Sequence, residues 1–218
     1  MPLIVRPQEE ADIEDSLRVQ YAAFQSGPSG RLLSPAPEPS AEFIQGSKKD
    51  RLETMRSNKA ARFMIVEDTD AHSIIAAAHW DIHTEERTSE QVEKLCHKSN
   101  PPPAANAAFW NDFFGHFAQS RRTLGNRPIA ILHTLVTSPA HQGRGAGKLL
   151  MQRFIQEVDD AGVEAYLEAS GVGRPLYAKF GFQPEFERHF ELAQYGGEDA
   201  VEVNTVMLRP AKADKASA

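Results

Sequence analysis

The C-terminal half of this 218-residue chain carries three features whose residue types suit phosphate binding and proton transfer. The first is the glycine loop Gln142-Gly-Arg-Gly-Ala-Gly147, followed directly by Lys148. Glycines allow positive φ and let the main chain come close to a guest, and a loop that opens a helix leaves several N–H groups unpaired. With the helix dipole added, such a loop favours an anion, most simply a phosphate. The second feature is His133, ahead of the loop, whose side-chain type titrates near neutral pH and can act as a base. The third is Tyr177, downstream, whose phenol can give up a proton.

The elements around the loop decide how it would be held. Ile129-Ala-Ile-Leu-His-Thr-Leu-Val136 has the length and branching of a buried strand. After the loop, Leu150, Phe154 and Val158 recur at helical spacing and mark an amphipathic helix. The order is strand, glycine loop, helix. A nucleoside triphosphate loop would need glycine at Gln142 and Ser or Thr at Leu149. A dinucleotide fingerprint would need glycine at Lys148. Both are excluded.

The spacing Gln142-x-x-Gly145-x-Gly147, with Leu176-Tyr-Ala-Lys-Phe-Gly-Phe182 downstream, resembles the GCN5-related N-acetyltransferase (GNAT) superfamily. That resemblance implies an α/β fold, a mixed and mostly antiparallel central sheet flanked by helices, and acetyl-CoA as co-substrate. Gln142, Gly143, Arg144, Gly145, Ala146, Gly147 and Lys148 would hold the pyrophosphate. The strand before the loop would splay from its neighbour, so that backbone groups near Leu135 and Val136 meet the pantetheine arm and the thioester oxygen. Tyr177 matches the tyrosine that protonates the departing thiolate, the alternative being a ring that only packs against Phe180 and Phe182. Many relatives carry an asparagine where this chain has Ser170, whose hydroxyl can keep one hydrogen bond to the cofactor. Arg174 faces either the cofactor's phosphates or the acceptor.

For the base that neutralises the attacking amine, His133 is the first candidate, since relatives use a histidine at a similar place. Its other reading is a buried structural histidine. His79, Asp81 and Glu168 are further candidates at the acceptor site. His79, Asp81 and His83 alternate along one face of a second expected strand, and such a polar stripe more often meets water than substrate.

The remaining chain supplies the scaffold. Leu3-Ile-Val-Arg6 reads as a first strand, and Ile13, Leu17, Tyr21 and Phe24 mark a first helix. The stretch 27–40, rich in Pro and Gly, is expected to be a loop, and 41–57 a second helix. An antiparallel hairpin follows over 62–67 and 74–82. The segment 84–127 is too long for a tight connection and reads as a helical insertion between the third and fourth strands. Within it, Thr88-Ser-Glu-Gln91 matches a capping box for a helix to about His97. A longer helix there carries Phe109, Trp110, Phe113, Phe114 and Phe117. That aromatic face is either core packing or a lid, with Phe109 and Phe113 walling the acceptor pocket. The stretches 185–192 and 201–208 are expected as closing strands, the second finishing the sheet.

Composition bounds the partners. Hydrophobic content of 41% and charge of 25% suit one globular domain over 1–209, with a disordered tail over 210–218. A net charge of -6 argues against nucleic acid and agrees with a cationic substrate. A single cysteine excludes an internal disulfide and any cysteine-rich metal site, and no metal is expected. No run has membrane-spanning length, so no membrane partner and a cytoplasmic location are expected. The aromatic insertion and Pro-rich loop favour an enclosed pocket for a small-molecule amine. A peptide or protein acceptor, and a non-catalytic acyl-CoA-binding module, are the alternatives. Assembly as a homodimer is left open.

Overall fold

Strand-length apolar runs alternate here with amphipathic helical stretches, and residues 2–212, which the computed structural model describes, assemble them around one seven-stranded sheet. In chain order the elements are β1 (Leu3–Pro7), α1 (Ile13–Gln25), α2 (Gly30–Leu33), α3 (Ala41–Ser57), β2 (Ala61–Asp68), β3 (Ser73–His83), α4 (Ser89–Leu95) and α5 (Ala107–Arg122). There follow β4 (Ile129–Thr137), α6 (Ala146–Ala161), β5 (Glu164–Ser170), α7 (Arg174–Ala178), β6 (Gln183–Glu191) and β7 (Val201–Arg209). The sheet order is β1-β2-β3-β4-β5-β7-β6, and only β4 and β5 run parallel. The mixed, mostly antiparallel sheet and the helices between the third and fourth strands are as expected.

Each face of the sheet is covered by what its pleat presents. On one face α6 lays Leu150, Phe154 and Val158, all fully buried, over Met64, Ala78 and Trp80. On the other, α1 covers Ile65, Ala77 and Val136, and α3 closes over α1 through Ile44. The far end of that second face belongs to α5, whose Phe109 packs with Leu32, Phe190 and Leu192. Local chemistry starts the helices where needed: Ser40 Oγ accepts from the Phe43 amide, and Thr88 and Gln91 form the reciprocal cap of α4.

Three expectations change. The segment 27–40 is not wholly loop, because Ser29 carbonyl accepts from both Leu32 and Leu33 amides and Leu32 is pulled into the α5 cluster, making the short α2. Gly30 is required there, since a Cβ would stand 2.1 Å from the Gln25 carbonyl oxygen. The helix opened by Thr88 stops at Leu95, with Cys96 as its cap. Finally, β7 does not end the sheet. It enters between β5 and β6, where β7 is buried from Asn204 to Met207, whereas β6 exposes most of its residues and takes the edge. Of the expected tail, 210–212 lie in no regular element and 213–218 fall outside the described residues. Among the described residues no helix is long and apolar enough to cross a membrane.

Phe154 sits at the centre of the larger core, 5.3 Å from the Trp80 ring and 6.5 Å from Phe182. Phe154→Ala is expected to lower the unfolding free energy by about 3–5 kcal/mol, read from urea denaturation curves; a loss under 1 kcal/mol would mean the site collapses around the gap.

Candidate active site

Pairing between β4 and β5 stops early, and the site is built in the gap. The two strands are in register only from Ile129↔Glu164 to Leu132↔Leu167. Beyond that, β5 stays with β7 through Ser170↔Asn204, while β4 stays with β3 through Thr137↔Ala76. The β5-facing edge of β4 from His133 onward is therefore open, and Leu135 and Val136 lie on it.

At the end of that open edge is the glycine loop. Gly143 and Gly145 have φ of 76° and 89°, and Gly145 is the residue that opens α6. A Cβ at either glycine would meet nothing within 4 Å, so the positive φ, rather than crowding, calls for glycine there. The Leu149 amide is the first to close a helical turn, donating to Gly145 carbonyl at 3.1 Å. The amides of Gly143 through Lys148 ahead of it reach no backbone carbonyl among the described residues. That is the unpaired cluster an anion needs.

On the other side of the gap, a bulge between His79 and Trp80 leaves His133 as the extra residue of β4. Bulges re-aim side chains, and this one turns His133 toward Asp81. His133 Nε2 is 3.3 Å from Asp81 Oδ2, His79 Nε2 is 3.4 Å from Oδ1, and His83 Nε2 is 3.8 Å from Oδ2. Asn58, at the end of α3, donates to Asp81 Oδ2 at 3.1 Å. The His79 ring lies between two others, stacked on Phe63 at 4.1 Å and on His133 at 4.7 Å. Two buried atoms of this cluster, His79 Nε2 and Asp81 Oδ1, make no hydrogen bond.

The charges follow from this packing. Burial opposes ionisation of Asp81, but the imidazoles of His133, His79 and His83 outweigh it and hold the carboxyl well below the usual carboxylate range. Burial pushes the His79 imidazole down to about 4, against the pull of Asp81. Tyr177, on α7, is buried in the larger core, and burial pushes its phenol up to about 12, so it keeps its proton across the working range.

A cavity of about 310 Å³ opens between α1 and α3 and reaches the sheet at Phe63, His79 and Thr134. The donor atoms of His79, Asp81 and His133 all lie within 4.8 Å of one another, the number and kind that could hold a divalent cation.

A family model described as an acetyltransferase (GNAT) domain matches residues 108–184, from inside α5 into β6, and so spans the open edge, the glycine loop and Tyr177. Over those residues the chain is similar to GNAT acetyltransferase domains. The match opens within α5, so part of the segment read as an insertion lies inside it. Solved structures share the GNAT fold over almost the whole chain. One titled histone acetyltransferase HPA2 and related acetyltransferase, from Corynebacterium glutamicum, has 20% identity and a TM-score of 0.60, covering 99% of each chain. An agmatine N-acetyltransferase has 15% identity and a TM-score of 0.66, covering 95% of this chain and 99% of its own. A Drosophila melanogaster polyamine N-acetyltransferase has 14% identity and a TM-score of 0.64, covering 96% and 100%. No curated protein matches the sequence.

Several expected site residues meet and others do not. His133, His79 and Asp81 converge, so the polar stripe on β3 faces a cluster and not water. Gln142 and Lys148 are exposed beside the loop, and Ala146 and Gly147 open α6. The Arg144 guanidinium is turned to Asp68 Oδ2 at 2.7 Å and His141 Nδ1 at 2.9 Å, which leaves only its backbone amide to the loop. Arg174 is paired with Glu187. Ser170 Oγ accepts from the Gly173 amide at 3.2 Å and shapes the turn into α7. Glu168 is no acceptor residue, because Arg121 grips both its oxygens, at 2.7 and 3.0 Å, and the Tyr166 hydroxyl adds a third bond. Phe109 is fully buried and Phe113 stacks on it at 5.4 Å, both against Phe190, so these two pack in a core cluster and do not line the cavity, while Trp110, Phe114 and Phe117 are half-buried beside them.

Sequence reasoning missed Asn58, Phe63 and the α3 wall. Only α3 left a signal: Ser47, Asp50, Arg51 and Thr54 follow helical spacing on one side and all line the cavity.

The low His79 value has a consequence for stability. An unfolded histidine takes up a proton near 6.5, whereas native His79 refuses it until about 4, so falling pH favours the unfolded chain across that window. The melting temperature is expected to drop between pH 6.5 and 4, and His79→Phe to make the drop shallower. Equal slopes in the two proteins would show that His79 does not carry the effect.

Proposed function

We propose that this chain transfers the acetyl group of acetyl-CoA to the primary amine of a small molecule by direct attack. The observation that carries the reading is the gap between β4 and β5, which has an anion-binding helix entrance at its end and a histidine paired with a buried carboxylate on its flank.

The loop amides from Gly143 to Lys148, with Gln142 and the Lys148 ammonium, grip the pyrophosphate. Open backbone groups at Leu135 and Val136 align the pantetheine arm, and an amide on that edge meets the oxyanion that develops on the thioester carbonyl. The acceptor enters through the cavity between α1 and α3, whose volume of about 310 Å³ suits a small molecule. As the C–N bond forms, His133 takes the proton from nitrogen, and the Asp81 carboxylate steadies the imidazolium. As the C–S bond breaks, Tyr177 gives its proton to the departing thiolate. Proton relay, rather than cation binding, is the role of the His79, Asp81 and His133 cluster in this scheme. The agmatine and polyamine N-acetyltransferases of the same fold act on small amines, which favours such an acceptor here.

Incubation with acetyl-CoA, a panel of amines and a thiol reagent, in the presence of EDTA, is expected to release CoA with at least one amine. Tight acetyl-CoA binding without release on any amine would make the chain a binding module instead. Tyr177→Phe is expected to lower kcat by roughly a hundredfold while acetyl-CoA affinity holds. Unchanged turnover across pH would remove Tyr177 from the proton path.

A further inference from the structure

Arg51 is the charged group that neither the fold nor the reaction above uses. It lies on α3, lines the cavity, and sits over the Phe63 ring with its guanidinium carbon 5.4 Å from the centroid. Its protein partners are neutral: Nη1 donates to Ser16 Oγ at 3.0 Å and Nη2 to Gln20 Oε1 at 2.7 Å. Two of its five N–H donors are thus engaged, and no carboxylate stands within ion-pair distance among the described residues.

The contrast with other arginines is informative. Arg121 pairs with Glu168, Arg144 with Asp68, Arg6 with Asp12, and Arg209 with Asp159. Arg87 also lacks a carboxylate, but it does not line this cavity. Burial pushes the Arg51 guanidinium down to about 10, with nothing opposing the shift, yet leaves it charged near neutral pH. A half-buried cation without a counter-charge is costly, so its place at the wall of a ligand cavity points to an anion that arrives with the ligand. Asp50 lines the same cavity but is exposed and lies outside ion-pair distance of Arg51.

We propose that the acceptor is an amino carboxylate, bound with its carboxylate on Arg51 and its primary amine at His79 and His133. The proposal rests on the acetyltransferase reading and names its substrate class. A planar guanidinium matches a carboxylate through paired N–H donors. The Phe63 ring contacts both groups, with the guanidinium carbon 5.4 Å and the stacked His79 ring 4.1 Å from its centroid, so a spacer of methylenes is the expected link between carboxylate and amine. Leu17, Tyr21 and Phe43 line the cavity and can cover those methylenes. An α-amino acid reacting at its α-amine lacks such a spacer. A diamine or guanidinoamine places a second cation against Arg51, which separates this acceptor class from agmatine and the polyamines.

The test compares 5-aminopentanoate and 6-aminohexanoate with pentylamine, hexylamine and 1,5-diaminopentane, using the full chain and acetyl-CoA. The amino carboxylates are expected to exceed the matching alkylamines in kcat/KM by about ten- to a hundredfold, with the diamine poorest. Arg51→Met should erase that preference while alkylamine turnover changes little, and Arg51→Lys should retain part of it. A merely structural tie between α1 and α3 would lower all substrates alike, and that result, or a preference for the diamine, overturns the proposal. If no amine is acetylated, the acetyltransferase reading fails, and hexanoate still decides the Arg51 site. A rise in melting temperature with hexanoate in the wild type, absent in Arg51→Met, supports the anion site; no rise in either overturns it.

Discussion

Backbone amides and carbonyls inside a sheet must be paired or offered to something else, and this protein leaves one such edge unpaired on purpose of its topology. β4 and β5 are the only parallel neighbours, and they part after Leu132 and Leu167 because each is better held on its outer side. β3 keeps β4 to Thr137, and β7 keeps β5 to Ser170. The entry of β7 between β5 and β6 is what makes this stable, since without it β5 would have only four residues of ladder with β4. The glycine loop and the His133 bulge are then set by the same strand, one at its end and one at the start of its open edge. In the proposed reaction, phosphate grip and proton acceptor share a rigid element, which is how a site is kept within the fraction of an ångström that chemistry demands.

Two buried acids on the same side of the sheet show how the fold separates structural charge from usable charge. Glu168 has its oxygens taken by Arg121 and Tyr166, a satisfied arrangement that fastens α5 to β5. Asp81 is held by Asn58 and three histidines, none of which carries a fixed charge, and its Oδ1 makes no hydrogen bond. A fixed guanidinium would lock the carboxylate against any change of state. Imidazole partners, unlike a guanidinium, leave it free in the proposed reaction to stabilise a positive charge on His133. The difference lies in the partners and not in the depth of burial.

What the amino-acid sequence made legible was local. The strand, loop and helix around Gln142 to Lys148 follow from periodicity and glycine spacing, and α3 runs over the expected 41–57. The α4 cap is readable from Thr88 and Gln91 alone. What stayed hidden depends on contacts across the sheet. A bulge opposite His79 cannot be seen in the order of residues, yet it joins His133 to the β3 stripe. Glu168 and Arg144 have the right types for a site, and only their long-range partners, Arg121 and Asp68, disqualify them. The aromatic run of α5 fits a lid or a core equally well in sequence. Phe190 on β6 and the Asn106 amide, which donates to Tyr195 carbonyl at 2.8 Å, decide for core at Phe109 and Phe113.

The division of labour between sheet and helices explains how one fold can serve different acceptors. Groups that would handle the thioester come from β4, the loop after it and α7, elements fixed by the central sheet and the α6 core. The acceptor cavity is instead walled by α1 and α3, whose facing side chains Gln20, Tyr21, Ser47 and Arg51 contribute little to that core. Side chains there can therefore change at little cost to the fold, which solved structures of 14–20% identity share. Phe63 and His79 belong to both parts, as strand residues that also line the cavity. The stack they form with His133 is therefore the physical link through which an acceptor held by α3 is brought to the open edge of β4.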